Sequence, residues 1–344
     1  MATDFMPSDP TAASRKQDHI ELAFQSQIDR TALDRRFYYE PFLSAHPDKG
    51  ILPPVTLIGK KLRTPVWVSS MTGGTALART INRNLARVCA AFGMGMGLGS
   101  CRQLLYSDEF LADFDVRDLL GDDLPLMANL GIAQVEVLLE CNQLDVLHRL
   151  VERLRADGLF VHVNPLQEAM QPEGDRFRRP PLETVTELLE RVSFPVAVKE
   201  VGQGIGPASL RALLQLPLAA IEFGAAGGTN FAHLELLRSA PEKRQSLQPF
   251  AVVGHSAEEM LDFVRALCVE LGPGIQTQAL ILSGGVRDFL DGYYLLRRSP
   301  LPAAYGQASV FLKYARADYD TLYRYVESQV RALELAYAYL HVRE

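Results

Sequence analysis

From Thr64 onward the chain reads as short apolar runs that end in small or polar residues, with helical patterns between them. The runs cover residues 66–70, 93–98, 126–130, 159–163, 196–201, 220–223, 250–253, 279–282 and 303–305. Near-continuous apolarity over so few residues suits parallel strands buried on both faces. Residues 182–192 and 257–271 repeat apolar positions at helical spacing, and strands alternating with helices predict an α/β fold with a parallel sheet. Nine runs exceed the eight positions of a (β/α)8 TIM barrel. The run at 250–253 is the one to drop, because Gly254-His255-Ser256 behind it is a helix-start signal. Glycine or polar residues close nearly every run, as at the rim where such a barrel gathers its active site. The barrel is therefore the predicted fold, with an open doubly wound sheet as the alternative.

The rest of the chain is expected to divide simply. Residues 1–13 are polar and read as a disordered N-terminus. Residues 14–64, with a helical stretch around 18–32 and a Pro/Gly-rich connector, read as an N-terminal extension packing on a barrel of residues 65–344. Hydrophobic residues make up 48% of the chain and the net charge is -6, so a large core is available and no basic tract suggests nucleic acid. No apolar run approaches a membrane span and no signal peptide is evident. Cys89, Cys101, Cys141 and Cys268 form no CxxC pair. A cytoplasmic protein with free thiols is the expectation.

Several stretches carry chemistry. Ser283-Gly284-Gly285 closes one strand, and Gly306-Gln307-Ala308-Ser309 follows about one barrel unit later, before a helical stretch. Such turns let backbone N–H groups approach a phosphate, and the loops after the last two barrel strands are its usual cradle; two ordinary tight turns are the plainer alternative. Ser70-Met71-Thr72-Gly73-Gly74 presents small residues to a flat ring over the mouth. Residues 93–102 alternate glycine with apolar residues, which suggests close approach by a ligand or by backbone, and put Ser100 and Arg102 at the rim, where Arg102 is either an oxyanion grip or a surface ion pair.

His162 and Asn164 alternate along a strand and so share a face. Gln167 and Glu168 follow, and then Gln171-Pro172-Glu173-Gly174-Asp175. A carboxylate beside a phosphate site suits Mg2+ held between them. Lys199 ends a strand, where it meets either a flavin edge or an ion-pair partner such as Glu200. Gly227-Gly228-Thr229 adds another glycine-lined rim. Arg15, Lys16 and His19 would suit a diphosphate if they reach the rim; a solvated helix start is the plainer reading.

Taken together, these stretches resemble the FMN-dependent type 2 isopentenyl-diphosphate isomerases. The most specific are Asn164-Pro165-Leu166-Gln167-Glu168 and the Gln171–Asp175 stretch. Met71-Thr72-Gly73-Gly74, Ala128-Asn129-Leu130-Gly131, Val198-Lys199-Glu200-Val201-Gly202 and Ser283-Gly284-Gly285-Val286-Arg287 agree and stand in family order. The resemblance implies interconversion of isopentenyl and dimethylallyl diphosphate with reduced FMN, NADPH as reductant and Mg2+, in a homo-oligomer (tetramer or octamer). It assigns catalysis to Gln167 and His162. Substrate binding falls to Arg15, Lys16, His19, Ser100, Arg102, Asn164 and Gln167; the diphosphate charge is expected to be matched by Arg15, Lys16, His19, Arg102 and a cationic His162, and Gln167 is expected to face the hydrocarbon while Glu168, the metal ligand, faces the diphosphate. FMN is expected on Met71, Thr72, Gly73, Ser100, Asn129, Lys199, Thr229, Gly284, Gly285, Gln307 and Ala308. Two departures stand out: Asn230-Phe231 where the family has Ser-Trp, and a long stretch before Gly306 that carries Arg297-Arg298-Ser299-Pro300. The alternatives are an FMN oxidoreductase of the hydroxy-acid-oxidase or dihydroorotate-dehydrogenase type, with His233 or His255 as base, and a non-catalytic flavin-binding barrel.

Overall fold

A computed structural model of the chain describes residues 9–343. Eight parallel strands close into a barrel: β1 (Val66–Val68), β2 (Gly95–Gly97), β3 (Leu126–Gly131), β4 (Gly158–His162), β5 (Val196–Lys199), β6 (Ala220–Glu222), β7 (Leu280–Ser283) and β8 (Ala303–Gln307). Each pairs with its sequence neighbours, and β8 closes against β1 through Tyr305 beside Val66 and Gln307 beside Val68. Nearly every strand residue is buried, lumen-facing and helix-facing alike, which is why the runs show no polar alternation. Residues 250–253 form no strand; Gln248–Val252 is a 3-10 turn, and Ser256 caps the helix Ala257–Leu271 by accepting from the Glu259 N–H.

The lumen is filled by side chains. Trp67 and Phe160 meet edge to face with ring centroids 5.9 Å apart. A Cβ on Gly95 would fall within the Trp67 ring, and one on Gly97 would come 2.7 Å from the Ser70 hydroxyl. A Cβ on Gly99 would meet Thr72 backbone at 2.5 Å. The alternating glycines therefore make room for the barrel's own aromatics and backbone, the second of the two expectations. Gly93 lies before the strand: it ends the helix Ala76–Phe92 in the left-handed region, its N–H donating to the Cys89 carbonyl.

Outside the barrel the expected boundaries shift. Asp9 accepts from the backbone and hydroxyl of Thr11 and starts a helix at Ala12, so residues 12 and 13 are helical. The expectation of disorder for residues 1–8 lies outside the described residues. The helix expected around 18–32 is Ala12–Leu22 followed by a 3-10 turn, Arg30–Ala32. Past Leu22 the chain continues as turns, the Ser26 hydroxyl donating to the Ala23 carbonyl, and Asp29 opens the 3-10 turn by accepting from the Thr31 N–H. A hairpin of Val55–Leu57 and Lys60–Leu62 buries Leu57 and Leu62 in the main core. Phe37–Tyr39 pairs antiparallel with Leu340–Val342, joining the two ends of the chain. Among the described residues no helix is long and apolar enough to cross a membrane.

Candidate active site

The strand ends bring two groups of side chains to one rim. The first surrounds a cavity of about 230 Å3 between β5, β6, β7, β8 and β1. Lys199, Thr229, Gly284, Gly285, Gln307 and Ala308 line it. Its walls are close-set loops: a Cβ on Gly228 would lie 3.1 Å from the Gly285 nitrogen, and one on Gly284 would run into Ala225 backbone. Gly227, Gly284 and Gly285 adopt φ of 106°, 95° and 70°, where other residues are strained. Gln307 is held from both ends, its side chain donating to the Val286 carbonyl at 3.2 Å and its own carbonyl accepting from the Ser69 N–H at 3.0 Å. Three buried polar atoms at this cavity have no partner: the Ser69 and Ser70 hydroxyls and Glu222 Oε2. Buried polar groups are normally bonded, so this wall is built for polar ligand atoms, and the residues present fit a flavin phosphate and ring edge. Sequence reasoning missed Ser69 and Glu222; a carboxylate, Glu222, inside the apolar run at 220–223 was the available signal.

Lys199 is buried and donates to the Glu200 carbonyl at 2.8 Å. The Glu200 carboxylate does not pair with it. It accepts from the N–H groups of Gly202, Gln203 and Gly204 at 2.7, 2.6 and 2.9 Å, which fixes the loop. Burial pushes the Glu200 carboxyl above its ordinary pKa, opposed by those same N–H groups.

The second group stands beside the first, on β2, β3 and β4. Asn129 donates to the Leu98 carbonyl at 3.1 Å, which turns its oxygen toward His162; the imidazole Nδ1–H donates to that oxygen at 2.9 Å. Desolvation, with a smaller contribution from the Lys199 charge, pushes the His162 pKa down to about 3. The ring is therefore neutral at physiological pH, not the cation expected for a diphosphate, and its Nε2 is free of protons.

Asn164, also buried, donates to Gln167 Oε1 at 3.1 Å and to Glu168 Oε1 at 2.9 Å. Gln167 and Glu168 thus converge on one amide rather than facing opposite ways. Glu168 Oε2 accepts from the Asp175 N–H at 2.7 Å. The Asp175 carboxylate in turn takes Arg102 at 2.7 Å and Gln134 at 2.6 Å. Arg102, exposed at the rim, is thus aimed by an ion pair that still leaves it donors to spare. Among the described residues no three His, Cys, Asp or Glu side chains cluster as a metal centre. Glu168 fits a single-carboxylate Mg2+ site, completed by substrate oxygens and water. The β4–β5 register sets His162 beside Lys199 and so joins the two groups.

The remaining expected residues fall in three places. Met71, Thr72 and Gly73 lie on the loop after β1, with the Thr72 carbonyl accepting from Asn82 at 3.3 Å. Ser100 is exposed after β2. Arg15, Lys16 and His19 do not line the cavity: their helix buries no residue, and Arg15 pairs with Asp9 at 2.7 Å. Asn230 caps the helix Phe231–Arg238 by accepting from the His233 N–H, as a serine could, and Phe231 lines the cavity. His233 and His255 do not line that cavity. His255 packs edge-on against Phe263.

No protein-family model matches the chain. Curated relatives do. The isopentenyl-diphosphate delta-isomerase of Rickettsia akari (strain Hartford) is 34% identical over 319 residues, 90% of this chain and 88% of that protein. The chain belongs to the isopentenyl-diphosphate delta-isomerase family. The enzymes of that name from Rickettsia peacockii (strain Rustic) and Mycolicibacterium vanbaalenii agree, at 31% over 93% of this chain and 34% over 83%, covering 91% and 81% of those proteins. Membership makes the chain an isomerase and so an enzyme, as its motifs imply. Solved structures share the barrel at low identity. A double mutant of flavocytochrome b2 with pyruvate bound gives a TM-score of 0.60 at 14% identity, covering 88% of this chain and 71% of that one. A mandelate oxidase mutant with (S)-mandelic acid gives 0.56 at 15%, covering 91% and 88%. These likenesses concern the fold.

Proposed function

We propose that the chain interconverts isopentenyl and dimethylallyl diphosphate, using FMN kept reduced by NADPH, and Mg2+. One observation carries this reading: the Asn164–Gln167–Glu168 network adjoins, through His162 and Lys199, a glycine-walled cavity whose polar atoms lack partners. A reduced flavin, when bound, supplies an electron-rich ring able to exchange protons and to stabilise cationic character in an alkene. The protein's own groups do the rest. The Gly284–Gly285 and Gln307–Ala308 turns receive the flavin phosphate, while Lys199, Asn129 and Thr229, with Met71, Thr72, Gly73 and Ser100, hold its ring. Arg102, Asn164 and Glu168 with its Mg2+ hold the diphosphate. Neutral His162 joins them by hydrogen bonding, while Gln167 orients the alkene or relays its proton. Arg15, Lys16 and His19 act on the diphosphate only if their helix moves or a second subunit brings them. The exposed Ile20, Phe24, Phe42 and Leu43 support a homo-oligomer, read as a tetramer or octamer. An N-terminal extension, residues 14–64, packed on a barrel of residues 65–344 is our division of the chain, and the cytoplasm our reading of its location.

The test is direct. Purified protein is expected to be yellow with FMN. Anaerobically, with NADPH and Mg2+, it should convert labelled isopentenyl diphosphate to an allylic product seen by NMR. A protein that cannot be reconstituted with FMN, or that yields no allylic product, overturns the reading.

A further inference from the structure

Outside the barrel mouth lies a second, larger concavity, about 1240 Å3. Four separated stretches build it: the segment before Phe37, the helices Ala257–Leu271 and Phe289–Arg298, and the C-terminal strand. It contains the stretch that departs from the family pattern, Arg297 to Pro300. Because Pro300 leads into the N-terminal end of β8, the groove reaches toward the barrel end opposite the rim.

Its chemistry is arginine. Arg35, Arg36, Arg265, Arg297, Arg298 and Arg343 line it, with Asp262 as the one lining carboxylate. Three of the guanidinium groups are held in place. Arg36 lies over the Phe37 and Tyr294 rings at 5.3 and 5.2 Å and pairs with Asp34 and Asp291. Arg298 lies over Tyr294 at 4.8 Å and pairs with Glu258 and Asp262. Arg343 lies over Tyr38 at 4.5 Å and donates to the Phe37 carbonyl. Among the described residues Arg35, Arg265 and Arg297 have no carboxylate partner. On a chain of net charge -6, this is a local excess of positive charge around an open basin.

We propose that this groove binds a compact polyphosphate anion, a small molecule with two or more linked phosphoryl groups, at a site separate from the rim. Planar guanidinium forks match pairs of phosphoryl oxygens, and Arg35, Arg265 and Arg297, without carboxylate partners among the described residues, offer three of them beside Arg343, which the Tyr38 ring and the Phe37 carbonyl hold in place. The basin and the acidic surface elsewhere favour a compact ligand over a long one, whose flanks would meet repulsion. A ligand here bridges the N-terminal segment, two helices and the C-terminal strand, so it stabilises the fold by mass action.

The test uses the purified full-length protein with FMN and inorganic tripolyphosphate as probe, followed by calorimetric titration and thermal melting. Saturable binding that raises Tm is expected. The double variant Arg265→Ala/Arg297→Ala, at two exposed positions, should weaken it at least about tenfold with circular dichroism and bound flavin unchanged. The matching lysine pair should fall between. Arg102→Ala, at the rim, should leave this binding intact. Absence of saturable binding, or binding unaffected by the alanine pair or lost only with Arg102→Ala, overturns the proposal. So does tighter binding of oligonucleotides as they lengthen, which reassigns the groove to nucleic acid, or a changed oligomeric mass for the alanine pair, which reassigns it to an interface between copies.

Discussion

Replacing His162 with glutamine tests the neutral, desolvated imidazole at the rim. In the folded protein burial, and then the Lys199 charge, push this pKa from 6.5 down to about 3. In the unfolded chain it keeps its ordinary value of about 6.5. Between those two values the unfolded chain binds a proton that the folded protein refuses, so stability rises with pH across that window. The stabilisation is complete above about pH 6.5 and is lost as pH falls toward 3, at up to about 1.4 kcal/mol per pH unit. From pH 7 to pH 5 the loss comes to about 2 kcal/mol. Glutamine gains no charge over that range, and its amide can still donate to the Asn129 oxygen that His162 uses. Urea unfolding of both proteins at pH 7 and pH 5, in one buffer at one ionic strength, gives the comparison. Wild type should lose about 2 kcal/mol more than His162→Gln. Equal losses would refute a desolvated His162 and restore the cation first expected there.

Three further outcomes follow from the site. Asn164→Ala removes one hydrogen bond to a carboxylate and one to an amide, so it should cost about 2–4 kcal/mol in unfolding experiments; with Gln167 and Glu168 freed, kcat should fall about 100-fold while FMN stays bound. Gln167→Ala should lower kcat with little change in KM, whereas Glu168→Gln, which keeps the shape, should raise the Mg2+ concentration needed for half-maximal rate; wild-type kinetics in both would remove them from the mechanism. Gly284→Ala puts a Cβ into Ala225 backbone at φ 95° and should release FMN on dialysis, while Gly59→Ala, at φ 73° in the hairpin turn and in open space, should cost only about 1–2 kcal/mol and keep its flavin.

The barrel was legible in the chain because strands buried on both faces must be apolar throughout, and because each ends where backbone emerges at a polar rim. The pattern also rejected residues 250–253, since the Ser256 cap is a local signal. The specific motifs named the rim residues for a similar reason: Asn164, Gln167 and Glu168 are close in sequence, so one helical turn brings them together. What the chain could not show are matters of distance between remote residues. That the glycines of β2 clear the barrel's own Trp67 and Phe160 could not be read from the sequence, since these side chains reach them from other strands. The charge of His162 depends on desolvation and on Lys199 from the next strand. Arg15, Lys16 and His19 form a basic cluster in sequence, yet nothing local places their helix, and in the folded chain it buries no residue and does not line the cavity. The arginine groove is the same lesson in reverse: its four stretches span most of the chain, and only closure of the barrel and pairing of the two chain ends brings them together.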